Sequence, residues 1–407
     1  MQRLLKAAGA IVALTAYCSA TNVAKPDLAQ ALRAADTIVV ARVVSGNART
    51  SPAGASGEVL LRVVRVIEGE VTAGSQIEIK TQGSRFFIPG PASKMPNSWA
   101  VEHFTALWFL RRQGVQYTVI PVTSGAGDPE RASLLLPEDS SPVSHPNRVH
   151  RAVAEEIIAT LRTMATTHRN EIKPVYNVQM INGQVHRSYG FGNYAAKALQ
   201  LSEALATLGD QPTLHAVYRE LASDQAGYLR AMGIAGLIAA NDPAGPKLAA
   251  VELRNLLREA YLSPIAMSLM GYRNPEDSEA ILALGRIATE FTDLDMPMLQ
   301  KSAARALNAL HTKETLPTLI ALLDSEDAEV GGLALNGICL FVRNGPIVTP
   351  QSIPSGSWRQ SREPAPFRTK ETDAYCWMNP LPASWAPPEY KAFWKTWWQA
   401  HSQEVMR

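Results

Sequence analysis

A short pattern of large and small apolar residues recurs three times in the second half of the chain. In each copy a large apolar residue is followed by small residues four and seven positions later, and by another large one at the eighth. These positions share one helical face, where small residues let a neighbouring helix approach closely. The copies are Leu229-x3-Gly233-x2-Gly236-Leu237, Leu299-x3-Ala303-x2-Ala306-Leu307 and Val330-x3-Ala334-x2-Gly337-Ile338. The pattern predicts stacked helical hairpins.

The segments that precede these copies fit the first helix of a pair. Residues 315–323 carry apolar side chains at helical spacing and end at a turn, and residues 213–221 do the same. The arrangement resembles HEAT repeats, with Leu316 to Ile338 as the best match. The resemblance implies an α-helical solenoid over 148–345. The family usually places Arg after the valine of the second helix, whereas Gly331 follows Val330, so the cross-repeat Arg–Asp ladder is in doubt in this unit.

The spacing of the copies predicts one further, degenerate unit. The first two copies begin 70 residues apart (229 to 299), and the next begins 31 residues later (299 to 330). We expect the missing unit around Ser278 to Phe291.

The first third of the chain has the residue types and lengths of β-strands. Five runs rich in β-branched or alternating apolar residues are separated by turn residues. They cover residues 37–44, 57–67, 76–80, 105–110 and 116–122. Five short strands predict a small all-β barrel over 25–125, followed by a linker over 126–147.

This β-region resembles the netrin-like, or tissue-inhibitor-of-metalloproteinase-like, form of the OB-type barrel. The resemblance is carried by the helix-like segment from Leu28 to Leu32 before Asp36-Thr37-Ile38-Val39, by residues 63–69, and by Leu107-Trp108-Phe109-Leu110. Those inhibitors present an N-terminal cysteine to a protease metal. Because no cysteine lies between residues 21 and 125, the resemblance does not extend to that mechanism.

Residues 1–20 have the pattern of a secretory signal peptide. Arg3 and Lys6 precede an uncharged run that is too short to span a bilayer comfortably, and small residues follow up to Ala20. A lipid anchor at Cys18 is disfavoured because Tyr17 precedes it. We expect an exported protein in the periplasm or outside the cell, with no transmembrane segment.

The net charge of the expected mature chain limits the classes of partner that it can bind. Removal of Arg3 and Lys6 lowers the 39 basic residues to 37, equal to the 37 acidic ones. A formal net charge of zero argues against nucleic-acid or anionic-membrane binding.

Two cysteines, Cys339 and Cys376, remain in the expected mature chain. Export makes a disulfide between them a candidate, and the alternative is that Cys339 is a buried apolar residue.

The C-terminal region consists of a Pro-rich extended segment over 346–388 and a Trp-rich helix over 389–407. Five aromatic residues recur at i, i+3, i+4, i+7 and i+8 and define one helix face. That face either caps the last repeat or binds a ligand or partner. Its residues are Tyr390, Phe393, Trp394, Trp397 and Trp398.

A search for catalytic and ligand motifs finds no GxSxG, HExxH, Walker-type loop or CxxC. We expect no cofactor, and His145 with His150 lacks a third ligand for a metal.

Glu155-Glu156 is interpreted as part of a solvated helix face. The segment Val178 to His186, centred on Asn182-Gly183, predicts a β-hairpin.

These observations predict a multidomain α+β protein that acts as an exported, non-enzymatic interaction scaffold. Its solenoid would bind a protein or an extended polymer on the concave surface. A hydrolase-type enzyme with a site at the barrel–solenoid junction, using His145, His150 or His186, is the alternative from another class. Binding of a protease through the barrel loops, as inhibitors do, is a third.

Overall fold

The computed structural model describes most of the chain, in two compact units. The described residues are 27–51, 54–82, 105–122, 133–136, 149–172, 175–181, 184–190, 193–256, 262–291, 297–345, 365–376 and 387–407. One unit contains the described residues up to Thr167 together with Ala196–Leu214; the other contains His168–Ala195 and His215–Arg407. The expected signal peptide, including Cys18, lies outside the described residues.

A small β-barrel forms the N-terminal part of the first unit. All five predicted strands are present, and β1 and β2 are longer than the sequence suggested because they continue into a paired hairpin. The strands are β1 Thr37–Ser51, β2 Gly54–Glu68, β3 Gln76–Gln82, β4 Thr105–Gln113 and β5 Gln116–Val119. Their order is β1-β2-β3-β5-β4, and β4 pairs with β1 to close the barrel. All pairs are antiparallel except β3–β5.

The barrel interior is filled by the alternating apolar side chains that predicted the strands. Leu61, Ile79 and Trp108 are fully buried there, and the indole Nε1 of Trp108 donates to the Ala41 carbonyl oxygen at 3.2 Å. A sixth strand, β6 Ser133–Leu135, pairs with β4. It falls within the expected linker, where three residues are too few for a periodic signal.

Two helices pack against the barrel within the first unit. Helix α1 (Leu28–Ala34) is capped by Asp27, whose side chain accepts from the Gln30 N–H, and it contacts β4. Helix α2 (Val149–Thr167) contacts β2. A buried ion pair joins α2 to β2: Arg65 Nε and Nη2 donate to the two carboxylate oxygens of Glu156 at 2.9 and 2.8 Å. Since Glu156 is fully buried, its interpretation as a solvated residue is wrong.

The rest of the chain is mostly helical. After the short α3 (Arg169–Ile172), a β-hairpin pairs β7 Val175–Ile181 with β8 Gln184–Gly190, which confirms the predicted hairpin. The helices that follow are α4 Asn193–Ala206, α5 Gln211–Leu221, α6 Gly227–Ala239, α7 Ala244–Leu256, α8 Ser263–Gly271, α9 Ser278–Glu290, α10 Pro297–Leu310, α11 Leu316–Leu322, α12 Ala328–Val342, α13 Lys370–Ala374 and α14 Pro388–Met406.

Helices α6 to α12 pack in two series. In one series α6 contacts α8, α8 contacts α10, and α10 contacts α12; in the other, α7 contacts α9 and α9 contacts α11. Aspartate caps begin several of them: Asp277 accepts from Ala280 N and Asp327 from Glu329 N. Such caps supply partners for the otherwise unpaired first N–H groups of a helix.

In the first series, the small residues of the repeated pattern pack mainly against the helix that comes before in sequence. A Cβ on Gly233 or Gly236 of α6 would meet α5, and one on Gly337 of α12 would meet Leu319 of α11 and also Asn308 of α10. Gly233, Ala303 and Ala334 are buried on α6, α10 and α12, together with the large apolar residues of each copy. The helix between α6 and α10 in this series is α8. Residues 278–290 do form a helix, α9, but it belongs to the other series. The degenerate copy of the pattern therefore lies on α8, earlier in the chain than expected. It is degenerate because Leu269 occupies a position where the other copies have a small residue.

Candidate interaction face

The first series of helices presents a partly exposed face built from three rows of side chains. On α8, Met267 and Met270 lie three residues apart. On α10, Met298 and Arg305 lie seven apart, and on α12 partly exposed residues recur at intervals of three and four. These spacings place each row on one side of its helix. We name this set the methionine–asparagine face: Met267, Met270, Met298, Arg305, Asn308, Leu333, Asn336 and Leu340.

Side-chain contacts join the three rows. Arg305 Nη1 lies 3.2 Å from the sulfur of Met270, and Arg305 Nη2 also pairs with Glu329 on α12. One turn further along, Asn336 Nδ2 donates to Asn308 Oδ1 at 3.2 Å. These contacts join α8 to α10 and α10 to α12 at this face.

The methionine–asparagine face combines thioether and amide side chains that are exposed or partly exposed. Met267 and Met298 are 57% and 46% exposed, and flexible thioether side chains adapt to apolar groups of different shape. Each Asn amide carries both donors and an acceptor and can bond to peptide groups. Arg305 of this face and the nearby Lys301 are paired with Glu329 and Asp327.

Ion pairs at the helix starts connect successive helices of each series. Arg219 on α5 pairs with Asp242 before α7 at 2.9 Å, and Lys247 on α7 pairs with Asp277 before α9 at 3.0 Å. Lys301 on α10 pairs with Asp327 before α12 at 3.0 Å. The sequence left the cation of this last unit in doubt because Gly331 replaces the usual Arg. In the structure, Lys301 of α10, the preceding helix of this series, pairs with Asp327.

These pairs lower the pKa of their carboxylates. For Asp277 the main cause is the hydrogen bond from Ala280 N, followed by that from Lys247 Nζ. Burial opposes ionisation of Asp327, but hydrogen bonds from Lys301 and Val330 N outweigh it, and its pKa also lies below the ordinary value. Glu329 is lowered likewise, with burial outweighed by Arg305 and Lys301.

We expect the stabilising effect of Lys301 to disappear in acid. Because the folded-state pKa values of Asp327 and Glu329 are depressed, their contribution is present above the unfolded carboxyl pKa, about 4, and is lost as the pH falls through the lower folded values. Lys301→Gln should therefore lower the free energy of unfolding by about 0.5–1 kcal/mol at pH 7, and by less at pH 3. Urea titrations of both proteins at the two pH values measure the difference. A difference that stays constant between pH 7 and 3 would contradict the assigned pairs.

The aromatic residues predicted on the last helix lie on α14 and differ in burial. Trp394 and Trp397 are 0% and 7% exposed, whereas Tyr390, Phe393 and Trp398 are partly exposed. Trp394 and Trp397 contact each other edge to face with ring centroids 5.4 Å apart. Helix α14 also contacts α11. The two tryptophans on the inner side of the helix are thus unavailable as an exposed binding surface.

The two cysteines of the expected mature chain are joined by a disulfide bond. It links Cys339 on α12 to Cys376, just after α13, with Cα atoms 5.5 Å apart. Segment 365–376 lies within the region predicted as Pro-rich and extended, and it contains the short helix α13. Thr369 begins this helix with a reciprocal capping box involving Thr372.

Two of the three histidines named for an enzymatic site lie in described elements. His145 lies outside the described residues, His150 is in the first turn of α2, and His186 is on β8 opposite Gln179. Across the described ranges, no three His, Cys, Asp or Glu residues are grouped so that they could hold a metal ion.

Sequence patterns alone did not identify the methionine–asparagine face. Its residues recur at helical spacing, but the same spacing describes an ordinary solvated surface until the neighbours of each helix are known. The sequence signal that could have located this face is the pair Met298 and Arg305. Both lie on the side of α10 that faces away from its buried pattern residues.

No helix in the described part of the chain is long and apolar enough to cross a membrane. Comparison with known proteins finds no family model, no curated protein and no solved structure that matches this chain.

Proposed function

We propose that the chain is an exported interaction scaffold whose helical array binds an extended polypeptide on the methionine–asparagine face. The observation that carries this proposal is the face itself: exposed and partly exposed apolar and amide side chains occur on three successive helices of one series, which side-chain contacts join at this face. Interaction surfaces are commonly apolar patches rimmed by polar groups. Export is inferred from the signal-peptide pattern of residues 1–20.

Three finer features belong to the same proposal. The two series of helix contacts support a HEAT-like solenoid, in which each hairpin packs only against its neighbours. The strand order with a parallel β3–β5 pair supports an OB-type barrel. The burial of Trp394 and Trp397 supports a capping role for α14 at the end of the array.

The proposal predicts that charge on the methionine–asparagine face abolishes partner binding. We would immobilise residues 21–407 and expose them to the exported fraction of the source cell. The bait is the unchanged chain or the double variant Leu333→Glu/Asn336→Glu. Because both side chains are partly exposed, the variant should fold, as thermal melting would verify. We expect bound polypeptide to fall about tenfold or more, since a buried unpaired charge in an interface costs several kcal/mol.

Leu282→Glu provides the matched control. Leu282 is 59% exposed on α9, in the other series of helices, so the same kind of charge is introduced on a different surface. Retained binding by this control, with loss in the double variant, supports the face. Equal recovery with all three baits, or loss in the control alone, would refute the assignment.

A further inference from the structure

The disulfide bond fastens a short segment to the end of α12. Cys339 and Cys376 are 7% and 2% exposed and lie 37 residues apart in sequence. Beside the bond, Arg343 at the end of α12 holds the same segment: its Nε pairs with Asp373 Oδ1 at 3.1 Å, and its Nη2 donates to the Cys376 carbonyl oxygen. We name residues 365–376 the stapled segment.

The stapled segment in turn provides the aromatic contacts of α14. The indole Nε1 of Trp394 donates to the Tyr375 carbonyl oxygen at 3.2 Å. The ring of Tyr375, the residue next to Cys376, stacks on Phe393 with centroids 3.9 Å apart. Phe367 contacts the edge of Trp397 at 5.9 Å. The position of α14 is thus tied to α12 through the residue adjacent to the disulfide.

Helix α14 also makes contacts that do not involve the stapled segment. The Lys395–Asp324 ion pair reaches α11, but its side chains are 38% and 66% exposed, and pairs this exposed contribute little. Helix α14 also contacts α11 and the 3-10 turn Lys313–Thr315. The stapled segment supplies the hydrogen bond of Trp394 and a ring contact of Trp397.

We infer that Cys339–Cys376 is a redox latch that controls whether the aromatic helix α14 is docked. A dithiol reductant would transfer two electrons and two protons to the bond, giving two protein thiols and the oxidised, disulfide form of the reductant. Once the bond is open, the segment regains the conformational freedom that the closed loop removed. Tyr375 then leaves its place, and α14 loses its hydrogen bond and its stacking partner together.

Hydrogen exchange read peptide by peptide tests the latch in the full chain. We compare the oxidised protein, the dithiothreitol-reduced protein with thiols counted by alkylation, and the Cys339→Ser/Cys376→Ser variant, which needs no reductant to reach the buried bond. Amides of α14 should exchange about 100-fold faster in the second and third samples, as expected when a locally stable unit opens. Peptides covering β1 and β4 should be unchanged.

Two results would overturn the latch. Unchanged exchange in α14, with both thiols free, would mean that the helix is held without the bond. Faster exchange throughout the barrel and α6–α10 as well would mean that the bond supports global stability and does not act locally. Lys395→Ala is the comparison variant: it removes the exposed tie to α11 and should change exchange in α14 by no more than about threefold.

Discussion

Replacing Gly233 with alanine should destabilise the helical unit by about 3 kcal/mol or more. A methyl group on Gly233 would lie 2.6 Å from the Leu221 carbonyl carbon and 2.7 Å from the Ala222 Cα, and nearer still to the Ala222 nitrogen. These are backbone atoms at the end of α5, which cannot rotate away as a side chain would. Overpacking that forces backbone movement costs about 1–3 kcal/mol and sometimes more.

The same substitution at Gly271 is the matched control. Gly271 ends α8, and no heavy atom among the described residues lies within 4 Å of where its Cβ would be. Alanine there should be neutral or stabilise by up to about 1 kcal/mol, because it has the higher helix propensity. Urea unfolding followed by peptide-level hydrogen exchange reports the helical unit separately from the barrel. Similar stabilities for the two variants would show that α5 and α6 do not pack this closely.

Glu156→Gln should destabilise the barrel unit by about 3–5 kcal/mol. The change keeps the size of the side chain but leaves the Arg65 guanidinium, only 15% exposed, opposite a neutral amide. Breaking one partner of a buried ion pair has this cost because the remaining charge stays out of water. The same unfolding experiment, read on β1 to β5, measures it.

Two further variants decide whether the charge is responsible. Glu58→Gln changes a glutamate that is 60% exposed and 3.9 Å from Lys80, and it should cost less than about 1 kcal/mol. Arg65→Met/Glu156→Leu removes both charges, and it should recover most of the stability that Glu156→Gln loses. A double variant as unstable as the single one would point to lost packing instead.

The elements of this fold were largely readable from the sequence because they follow local periodicity. Alternating apolar residues located the five barrel strands, and the pattern of small residues on α6, α10 and α12 located helix faces that are buried in the structure. The fold class was predicted at this level: a small β-barrel followed by a mostly helical region.

The errors arose where a distant partner decides the outcome. Glu156 lies in a helix whose sequence does not reveal Arg65, 91 residues earlier. Likewise, periodicity finds α9 but not the series to which it belongs, because that depends on which helices it contacts. The candidate face has the same origin: Asn308 and Asn336 come from different helices, and only their packing makes them neighbours.

The division of the chain into units has a consequence for its biogenesis. The barrel unit is discontinuous, since residues 196–214 belong with it although residues 168–195 do not. During synthesis from the N-terminus, the barrel strands emerge well before Glu156 and before Thr207, whose side chain and carbonyl oxygens accept the Leu28 and Ala29 N–H groups. A polypeptide truncated after β6 would contain every strand of the barrel sheet and still lack Glu156, the partner of Arg65. The barrel therefore completes its contacts only after about half of the protein has been synthesised.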